Sequence, residues 1–119
     1  MQPVGVLVIE EGAEAALMCA ALLKATNVRV VDAPDIRGAL ERLKTQRAAL
    51  AIVGADALAD VTQLHSRGIP VVAVVSELPS AARERALAAG VREIHERPTN
   101  WRAYSELIES LVSRFIRPN

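Results

Sequence analysis

Aromatic residues are almost missing from this sequence: one Trp, one Tyr and one Phe make up 3% of its 119 residues. A core must therefore be built from Ala, Val, Leu and Ile. The hydrophobic content of 51% is enough to fill one, as a single domain over 1–119. There is one cysteine, Cys19, set in an apolar helical pattern. That excludes an internal disulfide framework and predicts a reducing compartment, the cytoplasm. Burial in the core is the ordinary role of such a thiol. Net charge is missing as well, since 14 basic and 14 acidic residues cancel. No electrostatic grip on nucleic acid is expected. No stretch of about 18 residues is apolar and free of charge, so no membrane span is expected. Met1-Gln2-Pro3 leads straight into an apolar run, with no basic segment or small-residue cleavage site, which predicts no signal peptide.

What is present is an alternation of short apolar runs and longer amphipathic stretches. Val4 to Ile9, Val28 to Val31, Leu50 to Val53 and Val71 to Val75 are Val/Ile-rich, as strands buried on both faces of a parallel sheet are. Arg92 to His95 is short and polar and reads as an edge strand. Ala13 to Thr26 carries Ala16, Leu17, Ala20 and Leu23 at helical spacing. Asp35 to Thr45 places Ile36, Ala39, Leu40 and Leu43 on one face. Ala57 to Ser66 offers Leu58, Val61 and Leu64 and is ended by Gly68 and Pro70. Ser80 reads as the N-cap of a helix over Ala81 to Ala89, with Gly90 as its stop. Asn100 reads as the cap of the last helix, whose Tyr104, Leu107, Ile108, Leu111, Val112 and Phe115 form a broad apolar stripe.

This order predicts an α/β fold: a three-layer (βα)₅, doubly wound parallel sheet of the flavodoxin-like kind, with strand order 2-1-3-4-5. Ligands in such folds bind beyond the carboxyl ends of the strands. The places to look are residues 10–12, 32–34, 54–57, 75–79 and 96–99.

Those loops and their flanks carry a pattern. Val6-Leu7-Val8-Ile9 ends on the acidic pair Glu10-Glu11; Val30-Val31-Asp32-Ala33 is followed by Gly38-Ala39-Leu40-Glu41. Ile69-Pro70-Val71-Val72-Ala73-Val74 comes next, then Arg83-Glu84-Arg85-Ala86-Leu87-Ala88-Ala89-Gly90, and then Arg97-Pro98. Taken together and in this order, the chain resembles the receiver domain of bacterial two-component response regulators over essentially its whole length.

The resemblance implies a phosphorelay signalling role and a pocket in which two acidic residues and an acceptor aspartate bind Mg²⁺. A hydroxyl residue and a lysine would hold the phosphoryl group there. The chain departs from that pattern. The acidic pair is Glu10-Glu11, and Gly54 stands where the acceptor aspartate is expected. The hydroxyl position falls on Val75, Arg97 replaces the lysine, and the switch aromatic aligns with Ile94. Glycine offers no nucleophile and valine no hydrogen bond. The stretch from Gly54 to Ile69-Pro70 is also shorter than in the family, lacking the loop that lies over the pocket. A degenerate pseudo-receiver is therefore expected, with no catalytic residues, no bound metal or cofactor, and Arg97 paired to Glu10 or Glu11 in place of both metal and phosphate.

Two rescue readings stay open. Asp56 lies two residues past Gly54 and serves as a displaced acceptor, with Mg²⁺, if the strand continues. Ser76 supplies the hydroxyl after a one-residue slip, although a loop hydroxyl explains it equally. A small-molecule binder is a competing class, but no phosphate-cradling loop or strand-end nucleophile supports it. His65 reads as an exposed helix-end residue and His95 as an edge-strand residue without a metal partner. For a module that cannot be phosphorylated, constant contacts are expected: a partner protein in a signalling pathway, or a homodimer through the last helix. Ile94, His95, Trp101 and Tyr104 form the expected surface, Trp and Tyr being common interface anchors.

Overall fold

Strands whose residues are apolar at every position can be buried only if helices cover both faces of the sheet, and the arrangement follows from that. The computed structural model describes residues 4–10, 12–23 and 28–116. The strands are β1 Val4–Ile9, β2 Val28–Ala33, β3 Leu50–Val53, β4 Val71–Val75 and β5 Val91–Glu96. The helices are α1 Gly12–Leu23, α2 Ile36–Arg42, α3 Thr62–His65, α4 Ser80–Ala88 and α5 Trp101–Phe115, with a 3₁₀ segment at Ala55–Asp60. All strand pairs are parallel and their order is β2-β1-β3-β4-β5. This is the expected flavodoxin-like α/β fold.

Alternation along the strands sends successive side chains to two cores. Leu7, Ile9, Ala51, Val53, Ala73 and Val75 pack with Ile36, Ala39, Val61, Leu64 and Ala86. Val6, Val8, Leu50, Ile52, Val72 and Val74 pack with Met18, Leu22, Tyr104, Ile108 and Leu111. The single tyrosine fills the second core where the other positions are aliphatic.

Local chemistry sets most boundaries. Asp35 caps α2, its side chain accepting from Gly38 N at 2.7 Å. Asn100 caps α5 in the same way, accepting from Ala103 N at 2.9 Å. Three expectations are corrected. Pro79, not Ser80, holds the cap position of α4, because its extended backbone turns directly into the helix and Arg83 N–H reaches its carbonyl. The helix expected over Ala57 to Ser66 is a 3₁₀ segment followed by a single α-turn, the tighter winding suited to a short crossover.

The third correction concerns α1. The face carrying Ala16, Leu17 and Ala20 is turned outward, with Leu17 40% exposed, while Met18, Ala21 and Leu22 enter the core. Almost every residue of this helix is apolar, so periodicity alone does not select a face.

The caps give a direct test. Asn100→Ala is expected to lower stability by about 1 kcal/mol, read as a lower urea midpoint at unchanged slope.

Candidate functional site

The carboxyl ends of β1, β3, β4 and β5 meet at one rim, tied by backbone hydrogen bonds. Gly54 N–H donates to the Ile9 carbonyl at 3.1 Å, and Arg97 N–H to the Val75 carbonyl at 2.8 Å. Four of the five positions named for the vestigial pocket, Glu10, Gly54, Val75 and Arg97, therefore stand together. Glu11 lies outside the described residues.

Glu10 lies across Gly54. A Cβ placed on Gly54 would fall against the Glu10 carboxylate, 2.5 Å from its Cδ and 2.7 Å from Oε1, with Oε2 nearer still. The carboxylate thus occupies the space into which any side chain at position 54 would project. Arg97 reaches over it with an oxygen near each guanidinium nitrogen, a hydrogen bond at Nη1 and ion-pair contacts at the other two. Nη2 lies 3.6 Å from Glu10 Oε2, Nε lies 2.9 Å from Glu14 Oε2, and Nη1 donates to Ser76 Oγ at 2.7 Å.

The expected Arg97–Glu10 pairing is present, but its shorter partner is Glu14, in the first turn of α1. Sequence reasoning missed that residue. Helical spacing gave no signal for it, because Glu14 is in the first turn of α1 while Glu10 precedes the helix.

Val75 is 2% exposed and brings no polar side-chain atom to this rim. The hydroxyl comes instead from Ser76, next in the chain and bound to Arg97. Asp56 does not continue β3. Gly54 caps the 3₁₀ segment, and Asp56 is an exposed residue on it. With Glu10, Asp35 and Asp60 it lines a small cavity of about 100 Å³. Among the described residues, no three His, Cys, Asp or Glu side chains converge closely enough to hold a metal ion.

The surface expected for partners divides. Ile94 is half-buried and packed against the first core, and Trp101 is 39% exposed. Tyr104 is 3% exposed and is corrected from surface to core. Its ring sits in the second cluster, and burial pushes its pKa well up, with Glu14 adding to the rise and Arg97 opposing it. The α5 stripe is likewise consumed by packing: Tyr104, Ile108 and Leu111 are buried, and Leu107, Val112 and Phe115 lie against them.

On β5, His95 Nε2 lies 2.7 Å from Glu93 Oε1. Arg114 forks the same carboxylate at 2.7 and 2.8 Å. The Arg114 hydrogen bonds, aided by His95, hold the Glu93 carboxyl below its ordinary range. His65 is exposed at the end of α3, as expected. Half-buried Cys19 has its pKa raised by burial, with Asp32 adding to the rise.

No protein-family model matches the sequence, and no curated protein matches it. Solved structures do resemble it. The phosphorylated cyanobacterial phytochrome response regulator RcpA superposes with a TM-score of 0.84 at 15% identity, over 97% of this chain and 95% of that one. A CheY-like receiver domain protein from Methanospirillum hungatei gives 0.75 at 16% identity, over 96% of each chain. A protein of Burkholderia pseudomallei described as pilus assembly-related gives 0.68 at 19% identity, over 98% and 94%. At these identities the likeness is one of fold. The chain has the architecture of response-regulator receiver domains.

Two outcomes are expected. Arg97→Ala should lower stability by about 1–3 kcal/mol, the range for removing a charged hydrogen-bond partner, read by urea denaturation. Because the folded state holds Glu93 below its ordinary value of 4.5, its pairing stabilises fully above that pH and is lost as pH falls below it. Glu93→Gln should therefore flatten the acid side of the stability–pH curve, and thermal melts from neutral pH downward would read this.

Proposed function

We propose that this chain is a receiver-like module of a signalling pathway that acts through protein contacts and without phosphoryl transfer. The observation that carries the reading is the Glu10 carboxylate lying where a side chain at Gly54 would stand, with Arg97 drawn onto it. In the pattern that the chain resembles, that space belongs to the acceptor aspartate and its metal. Here a fixed cation meets the carboxylates of Glu10 and Glu14. An ammonium in that place offers a mobile point charge to a phosphoryl oxygen, whereas a planar guanidinium engaged on three sides has little to give. The receiver-like fold supports a signalling role, and the altered site supports a constant state rather than a switched one. In this reading the chain is not an enzyme, works in the cytoplasm and presents its surface to a partner protein.

The test is exposure to acetyl phosphate and Mg²⁺ followed by intact mass. The wild type should gain no phosphoryl group, and millimolar Mg²⁺ should leave its melting temperature unchanged. Gly54→Asp alone should also remain unlabelled, since its side chain meets Glu10 and Val75 still lacks a hydroxyl. A phosphoryl group mapped to Asp56 would overturn the proposal and establish the displaced-acceptor alternative.

A further inference from the structure

We infer that copies of this chain associate head to tail along the strand direction, the basic end of one sheet lying on the acidic end of the next. The net charge of zero conceals a separation of charge along the strands. All strand pairs are parallel, so the strands begin at one end of the molecule and finish at the other. Four of them begin beside an arginine. Arg29 is the second residue of β2 and Arg92 the second of β5. Arg47 and Arg67 lie in the segments that lead into β3 and β4. Hydrogen bonds hold those segments at the same end. Ala49 N–H donates to the Gly5 carbonyl at 2.8 Å, Ala51 N–H to the Pro70 carbonyl at 2.9 Å, and Arg29 Nη2 to the Arg47 carbonyl at 3.3 Å.

At the other end the sign reverses. Asp32 stands near the end of β2 and Glu96 closes β5, while Asp56 and Glu77 follow β3 and β4. All four are exposed. Thus β2, β3, β4 and β5 each run from a cation to a carboxylate. Helix dipoles explain part of this, since they favour cations at helix C-termini and anions at N-termini. That accounts for Arg42 and Arg114 in the last turns of α2 and α5. It does not reach Arg29, Arg92, Asp32 or Glu96, which are on strands.

Local pairing leaves both rows open. The carboxylates of Glu41 and Glu93, near the basic end, are already held by Lys44 at 3.0 Å and Arg114 at 2.7 Å. Among the described residues, Arg29, Arg47 and Arg67 form no ion pair, nor do Asp32, Asp56 and Glu77. At the acidic end Arg37 and Arg83 stand on α2 and α4, outnumbered by exposed carboxylates that include Asp35 and Asp60.

The chain therefore carries the complement of each of its ends. Copies without net charge do not repel one another as a whole, so the attraction of unlike ends is unopposed. Both rows follow the same order across the sheet, β2 to β5. A copy turned about the strand axis to follow the sheet twist sets row against row. The two surfaces differ, so the contact does not close on itself and further copies can add.

This inference does not rest on the proposed function, because the two charged ends are there whether or not a phosphoryl group is transferred. The experiment is sedimentation equilibrium on the full chain in low-salt buffer, from tens to hundreds of micromolar. The average mass should rise with concentration, pass that of a dimer, and fall when salt is raised to physiological strength. Arg47→Ala, Arg67→Ala blanks the basic end, and Asp32→Asn, Glu77→Gln blanks the acidic end. Each double variant should weaken association by roughly 3- to 30-fold in Kd. An equimolar mixture of the two variants keeps one intact contact and should stop at a dimer. Circular dichroism on each variant verifies that the fold is kept. A monomeric wild type, an association that ends at a dimer or ignores salt, or a mixture that forms no dimer would each overturn the inference. So would a monomeric wild type that binds a short DNA duplex, which would assign the basic end to a polyanion.

Discussion

The guanidinium of Arg97 is where the rim of the sheet is held together. It is about one-quarter exposed, and a charge so placed is costly unless neighbours neutralise it. Glu10 from the end of β1 and Glu14 from α1 supply the opposite charge, and Ser76 from the loop after β4 accepts a hydrogen bond from it. The arrangement is possible because Gly54 leaves the space that Glu10 crosses. A glycine, a longer acid and a forked cation thus form one dependent set. A helix and the ends of three strands are fastened through these side chains.

Beneath that rim the molecule is plain. Aliphatic side chains fill most of both cores, with Met18 and Tyr104 in the second, and of the three aromatics Tyr104 alone is buried. The polar chemistry is left to the loops and to β5, where Glu93 gathers Arg114 and His95.

The order of elements was legible in the sequence because strands covered on both faces read as unbroken apolar runs, and those of β1, β3 and β4 do. Caps with a side-chain signature, Asp35 and Asn100, were legible too. The orientation of α1 was not, since a helix of Ala, Leu, Met and Cys has no polar side to turn outward. Tyr104 looked like an interface residue beside Trp101, yet three residues of helix rotate it inward and leave Trp101 partly exposed. At the rim, the losses at Gly54 and Val75 and the pairing of Arg97 with Glu10 could be read. The contact with Glu14 could not, because it joins residues 83 apart in sequence.

The crossing of Glu10 over Gly54 also limits the order in which the sequence can change. Replacing the glycine first puts a side chain where a carboxylate already lies. Shortening Glu10 first opens that space but withdraws an anion from Arg97 before anything is gained in return. Either route first disturbs the contact between Glu10 and Arg97, so the two positions constrain one another.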